Sequence, residues 1–245
     1  MMKWLCALVC VLCSCINLHG AKIGLLVMAT GKYISFIDRL LYSADKHFCK
    51  NHEVTYFVFT DSYRESTQRV VYIPQKRLGW PFDTMMRYHV YLANAELLRS
   101  QDYLFCLDAD MLFVGDMGDE ILGKRVATLH PCFVGTKGTY DKNPQSTAYI
   151  PDHEGECYFA GGFYGGETEE VLHIAQVNSQ NIDNDLARGV IAIWHDESHW
   201  NRYCATHRPT KILDPSYCYP EGWSLPYIPK LYALNKNHQE MRSAP

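Results

Sequence analysis

From Lys22 onward the chain alternates two kinds of hydrophobic pattern. "KIGLLVMA" is a continuous apolar run, as in a strand covered on both faces. After "TGK", Ile34, Ile37, Leu41, Ala44 and Phe48 recur at helical spacing. "EVTYFVFTD" predicts a second strand and "VVYIP" a short third. Asp83 is placed to cap a helix in which Met85, Tyr88, Leu92 and Ala95 share a face. "DYLFCLDADMLFV" then reads as a strand interrupted at its acidic centre. This order of strands and helices predicts an α/β sheet with a nucleotide at the strand ends.

The second half is less regular. "GTKGTYDKNPQSTAYIP" concentrates turn-forming residues and predicts a loop beside a site, or its lid. "GGFYGG" surrounds a short strand, and Thr168 is placed to cap the following helix. The end, "LYALNKNHQEMRSAP", is polar and basic and on its own reads as a frayed tail. At the other terminus, Trp4 to Leu18 is an uncharged run of 15 residues. That is short for a bilayer span and suits a signal-peptide core. Leu12-Cys13-Ser14-Cys15 also fits a bacterial lipobox, and a short membrane anchor is the third reading.

Composition narrows the class. With 245 residues, 47% of them apolar and 20% charged, the chain is long enough for one large core and is not a disordered sequence. A net charge of −4 carries no basic footprint, so nucleic acid is not an expected partner. Four of the ten cysteines lie in the leader, and the other six contain no C-x-x-C pair, which argues against a zinc ribbon. Few or no disulfides are expected. Cys106, inside a strand pattern, is expected to be a small buried apolar group.

Two acidic constellations carry candidate chemistry. In "FCLDADMLF", Asp108 and Asp110 project to the same side if the backbone is extended. Two hard oxygen ligands with open positions suit Mg²⁺ or Mn²⁺ shared with a diphosphate, although such pairs also occur as solvated turns. In "WHDESHW", His195 and His199 lie four apart, as in a zinc-peptidase helix. The peptidase motif needs glutamate directly after the first histidine, and Asp196 stands there. Asp196 and Glu197 therefore remain as carboxylates flanked by Trp194 and Trp200. Such an arrangement fits a sugar site and equally the capped start of an amphipathic helix.

Five segments, "RLGWPFDTMMRY", "FCLDADMLF", "STAYIPDHEGECYFAGGFYGG", "WHDESHWNRY" and "PTKILDPSYC", resemble in order and spacing those of glycosyltransferase family 6. That family includes the histo-blood-group A and B transferases, the α-1,3-galactosyltransferases and bacterial relatives. The compact layout is similar to that of microbial members, but the D-x-D motif is kept. The resemblance implies a GT-A-type nucleotide-sugar-binding fold with a mixed central sheet flanked by helices. Residues 1–21 would be a signal or anchor segment and 22–245 the catalytic domain. The implied reaction is retaining α-1,3 transfer of GalNAc or Gal from a UDP-sugar to the 3-OH of a β-galactoside, with fucose on the acceptor. Membrane association through the N-terminal segment would place the enzyme in the Golgi of a eukaryote, or at the cytoplasmic or inner-membrane face of a bacterium. A rival reading is an inactive carbohydrate-binding protein on this fold, which would be expected to lose Asp108, Asp110 or Glu197; all three are present.

The same resemblance implies roles by position. Ala29, Thr30 and Tyr33 match the uridine-binding strand end. Arg87 matches the arginine that holds the first aspartate and the donor. Asp108 and Asp110, with Ala109 between them, match the ribose and Mn²⁺–diphosphate ligands. Glu197 matches the catalytic glutamate and Asp196 its donor-binding neighbour. His130 and Trp194 match acceptor contacts. Ala160, Gly161 and Gly162 match the stretch facing the C2 substituent of the donor, and their small size favours UDP-GalNAc over UDP-galactose. Lys236, His238 and Arg242 match the tail that closes over UDP. One departure is that the blood-group enzymes carry Trp-Asp where this chain has Tyr219-Pro220 and then Glu221.

Overall fold

The computed structural model describes residues 20–242; the apolar leader through His19 lies outside the described residues. β1 (Lys22–Met28), β2 (Glu53–Thr60), β3 (Val70–Pro74) and β4 (Tyr103–Asp108) form the parallel half of a seven-stranded sheet. β6 (Arg125–Leu129), β7 (Phe159–Glu167) and β8 (Lys211–Leu213) complete it in the order β3-β2-β1-β4-β7-β6-β8. β7 is antiparallel to both of its neighbours, so the sheet is mixed. Three short strands, β5 (Met111–Phe113), β9 (Tyr219–Pro220) and β10 (Leu231–Ala233), make a second sheet.

Continuous apolar runs become central strands because both of their faces are covered. Phe105 and Leu107 of β4 point into one core cluster, and Leu104 and Cys106 into the other. α1 (Ile37–His47), preceded by a 3-10 turn over Gly31–Phe36, packs on the first face. α2 (Phe82–Met85), α3 (Arg87–Ala93), α4 (Ala95–Leu98), α5 (Thr168–Leu186) and α6 (His195–Thr206) follow, with α7 (His238–Arg242) at the end. Apolar residues of α2, α3, α5 and α6 pack into the second cluster.

Two capping expectations are corrected. The helix expected after Asp83 is broken into α2, α3 and α4, because Met86 and Asn94 leave helical dihedrals (ψ 9° and 16°). Pro81 holds the N-cap position of α2, and the Asp83 carboxylate accepts the Leu78 N–H instead (2.7 Å). Met85 and Tyr88 nevertheless reach the expected core face. Thr168 is the first residue of α5 rather than its cap, and its hydroxyl donates to the Gln101 carbonyl at 2.7 Å. The strand through "GGFYGG" is also longer than expected. β7 runs for nine residues, and its second half lies against β4 so closely that a Cβ at Gly165 would stand 2.3 Å from the Leu104 carbonyl oxygen. Residues 135–151 form a loop, as expected. The six cysteines within the described residues are unpaired, and Cys106 is fully buried.

Candidate active site

The sheet topology concentrates the acidic motifs. β1 and β4 are parallel and in register, with Met28 opposite Asp108, so both strands end at one edge of the sheet. β7 runs the other way and brings its first residues back to that edge, where Phe163 pairs with Leu107. Ligands of open α/β sheets bind in such crevices, beyond the carboxyl ends of the strands. Here a cleft of about 460 Å³ opens, lined by Thr30, Tyr33, Asp108, Ala109, Asp110 and Gly161 on the sheet side. Trp194, Asp196 and Glu197 form the opposite wall, and Lys236, His238 and Arg242 cover it.

Arg87 links the two acidic motifs. Only 4% exposed, it reaches Asp108 Oδ1 through Nη2 (2.9 Å) and Asp196 Oδ2 through Nε (3.1 Å). Nη1 donates to the Gly161 carbonyl at 3.3 Å. Burial alone would disfavour the cation, but Asp196 and then Asp108 outweigh it and hold its pKa well above the ordinary value. Thr84, one turn earlier, accepts from Arg87 Nη2 and donates to Asp196 Oδ1, both at 2.8 Å. The Tyr88 hydroxyl donates to the Asp196 carbonyl at 3.1 Å. Asp196 is thus held on three sides, although burial still raises its pKa.

His195 takes a left-handed φ of 51°, which turns the chain sharply into α6 and aims the next two carboxylates at the cleft. Glu197 meets only neutral donors there. Its Oε2 accepts the Gly161 N–H (2.7 Å), and its Oε1 accepts the Tyr158 hydroxyl (2.8 Å). Desolvation raises its pKa to about 7 against those two bonds. The two histidines do not make a zinc pair. His195 packs edge-on against Trp80, whereas His199 is 1% exposed beside Asp185. Burial lowers the His199 pKa to about 4.

Asp108 and Asp110 suit a divalent cation. Asp110 is 4% exposed, and burial, followed by repulsion from Asp108, raises its pKa. A buried carboxylate beside a second one calls for positive charge, which Lys236 supplies here. Hard carboxylate oxygens facing an open cleft match the donor set of Mn²⁺ or Mg²⁺. Among the described residues no cluster of three acidic, His or Cys groups could hold a metal alone. Further ligands would therefore come from substrate oxygens and water.

The tail is docked rather than frayed. β10 pairs with β5, and the Leu234 N–H donates to the Asp110 carbonyl at 2.9 Å, which delivers Lys236 to the Asp110 carboxylate. Farther on, the Arg242 guanidinium lies 3.6 Å from the centroid of the Trp80 ring. Lys32 Nζ and Arg77 Nη2 donate to the carbonyls of Glu240 and Arg242.

Other expected residues stand back from the cleft. The side chains of Ala29 and Ala160 are buried in the first core cluster. His130 packs against Phe133 and Tyr158, and burial lowers its pKa to about 4. Trp194, by contrast, lines the cleft and is 46% exposed, with its indole N–H on Thr139. Thr84, Tyr158 and Trp80 were not expected at the site. A lone Thr or aromatic residue carries no pattern, although Thr84 does stand three residues before Arg87, on the same helical side.

Fold and cleft together define a class, a GT-A-type glycosyltransferase fold with its acidic site at the sheet edge. Comparison with known proteins gives the family. The model of glycosyltransferase family 6 matches residues 10–243, and the chain belongs to that family. It is 38% identical to the rat histo-blood group ABO system transferase 1, over 93% of this chain and 70% of that protein. The chicken globoside alpha-1,3-N-acetylgalactosaminyltransferase 1 is 36% identical, over 90% and 69%. The human alpha-1,3-galactosyltransferase 2 is 31% identical, over 82% and 63%.

Proposed function

We propose that this hexosyltransferase moves GalNAc, in preference to galactose, from its UDP conjugate to the 3-OH of a β-galactoside at a glycan end. Fucose on that acceptor and retention of the α configuration are part of the reading. The observation that carries it is Glu197, a carboxylate with neutral partners facing the Asp108–Asp110 edge across one cleft. Membership of a family whose relatives are named for α-1,3 transfer of these two sugars supports it.

Asp108 and Asp110 would hold Mn²⁺ or Mg²⁺, which when bound supplies charge neutralisation to the departing diphosphate. Lys236 and Arg242 add positive charge on the same side of the cleft. Glu197 stabilises the oxocarbenium-like anomeric carbon from the face opposite the leaving group, as a carboxylate does in retaining glycoside chemistry. Tyr158 and the Gly161 N–H keep that carboxylate aimed. Asp196, fixed by Arg87 and Thr84, is placed to accept hydrogen bonds from sugar hydroxyls. The apolar leader is proposed to attach the enzyme to a membrane, in the Golgi of a eukaryote or at the inner face of a bacterial membrane. Among the described residues no helix is long and apolar enough to cross one.

The test offers both UDP-sugars with a fucosylated galactoside and reads the linkage by NMR. EDTA is expected to abolish transfer and Mn²⁺ to restore it. No transfer from either donor would sink the reading; full activity in metal-free buffer would sink the assignment of Asp108 and Asp110.

A further inference from the structure

A donor sugar in this cleft spans two fixed points, its diphosphate end at Asp108 and Asp110 and its anomeric carbon at Glu197. The backbone that runs between them belongs to β7. A Cβ added at Gly161 would meet Glu197 Cβ at 3.2 Å. Gly162 turns to the other side, where an added Cβ would stand 3.6 Å from Asp108 Oδ2, 3.7 Å from Met111 Cε and 3.2 Å from Cys218 Sγ. The thiol is therefore the atom that a side chain at Gly162 would meet first.

Cys218 ends the 3-10 turn Pro215–Cys218 and is 8% exposed. Tyr217 and Cys218 belong to the first core cluster, and the Tyr217 ring stacks on Phe163 of β7. Burial raises the thiol pKa, and Asp108, Glu197 and Asp110 each raise it further, so the group is a neutral SH that fills space. Its carrier is packed into the core, whereas β7 has the open cleft on its other side. Added bulk at this contact moves the strand towards the sugar more readily than it moves the turn.

We propose that Cys218 is a specificity-determining residue for the donor. Its sulfur seats β7 and so sets the room left for the C2 substituent of the sugar, large enough for N-acetyl only while position 162 lacks a side chain. This rests on the reading of the cleft as a UDP-sugar site.

The test compares kcat/KM for UDP-GalNAc and UDP-galactose in wild type, Cys218→Val, Cys218→Ser, Cys218→Ala, Gly162→Ala and Gly162→Ala/Cys218→Ala. Cys218→Val and Gly162→Ala should each lower the GalNAc-to-galactose ratio about tenfold or more, as one methyl group in a tight pocket does. Cys218→Ser, nearly the same size, should keep the wild-type ratio. The double variant should recover most of the ratio lost in Gly162→Ala, because the new methyl group then has space behind the strand. Additive effects in the double variant would overturn the proposal, as would an unchanged ratio in Cys218→Val. So would a loss of UDP affinity in Cys218→Val that accounts for its whole loss of transfer. A wild type that prefers galactose would refute the donor assignment alone, and the role of Cys218 would then be decided by whether Cys218→Val still shifts the ratio towards the smaller sugar.

Discussion

The two acidic pairs of the cleft solve the same electrostatic problem in opposite ways. Asp108 and Asp110 crowd two negative charges at the end of β4, and each carries a cation: Arg87 on the first and Lys236 on the second. Asp196 and Glu197 crowd two more at the start of α6, but only Asp196 reaches Arg87. Glu197 is hydrogen-bonded by a hydroxyl and a backbone amide, and its pKa is pushed up to about 7 by burial. In the first pair each carboxylate is neutralised by a cation of the chain itself. The second keeps one carboxylate without a cationic partner, which is what the proposed mechanism asks of Glu197.

The most damaging way to break that comparison is to remove the arginine both pairs share. Arg87→Met leaves Asp196 buried without its cation, and loss of one partner of a buried pair costs about 3–5 kcal/mol. Urea unfolding measures it, and a loss below about 1 kcal/mol would show that Arg87 is not the hub. Arg87→Lys should restore little, since a single ammonium does not reproduce the fork to Asp108, Asp196 and Gly161.

Next in size is Glu197→Gln, which keeps shape and removes charge. Turnover should fall by about two to three orders of magnitude, as for other single electrostatic stabilisers, while UDP affinity changes little. A near-normal kcat would transfer the chemistry to another residue. Truncation after Ala233 tests the cation on Asp110 instead. Losing Lys236 and Arg242 should weaken UDP binding at least about tenfold, the equivalent of one charged hydrogen bond, with the circular dichroism spectrum retained. An unchanged dissociation constant would show that the tail is not part of the site.

The smallest effect is a pH shift. The proposed mechanism needs Glu197 ionised, and burial, which raises its pKa to about 7, favours the protonated form below that pH. kcat/KM should therefore rise as pH increases through about 7 and level off above. Tyr158→Phe removes a hydrogen bond that favours the carboxylate, so the midpoint should move up by about half to one unit. A downward shift would contradict the assigned direction of that bond.

Much of this was legible in the chain. The apolar runs of β1, β2 and β4 needed no context, because a strand covered on both faces is apolar throughout. The D-x-D break in β4 and the "WHDESHW" start of α6 were visible as motifs, and the spacing already argued against zinc. Less was readable where short-range patterns compete with packing. Asp83 had the chemistry of a cap, yet the chain placed Pro81 at that position and used the carboxylate on Leu78. The polar tail had the composition of a frayed end, and only the family resemblance argued otherwise before β10 was seen paired with β5.

By itself the sequence determined the α/β class, the positions of both acidic pairs and their membership of one family, because these follow from local periodicity and from motifs with fixed spacing. Tertiary structure alone decided how the pairs are coupled. Arg87, 21 residues before Asp108, lies against Gly161 and Asp196 only because β7 returns antiparallel to the end of β4. The same packing sets Tyr158 on Glu197 and Cys218 behind Gly162. Hydrogen bonds and desolvation act over a few ångströms in space, and contacts between residues so far apart in the chain come into existence only when the sheet is assembled.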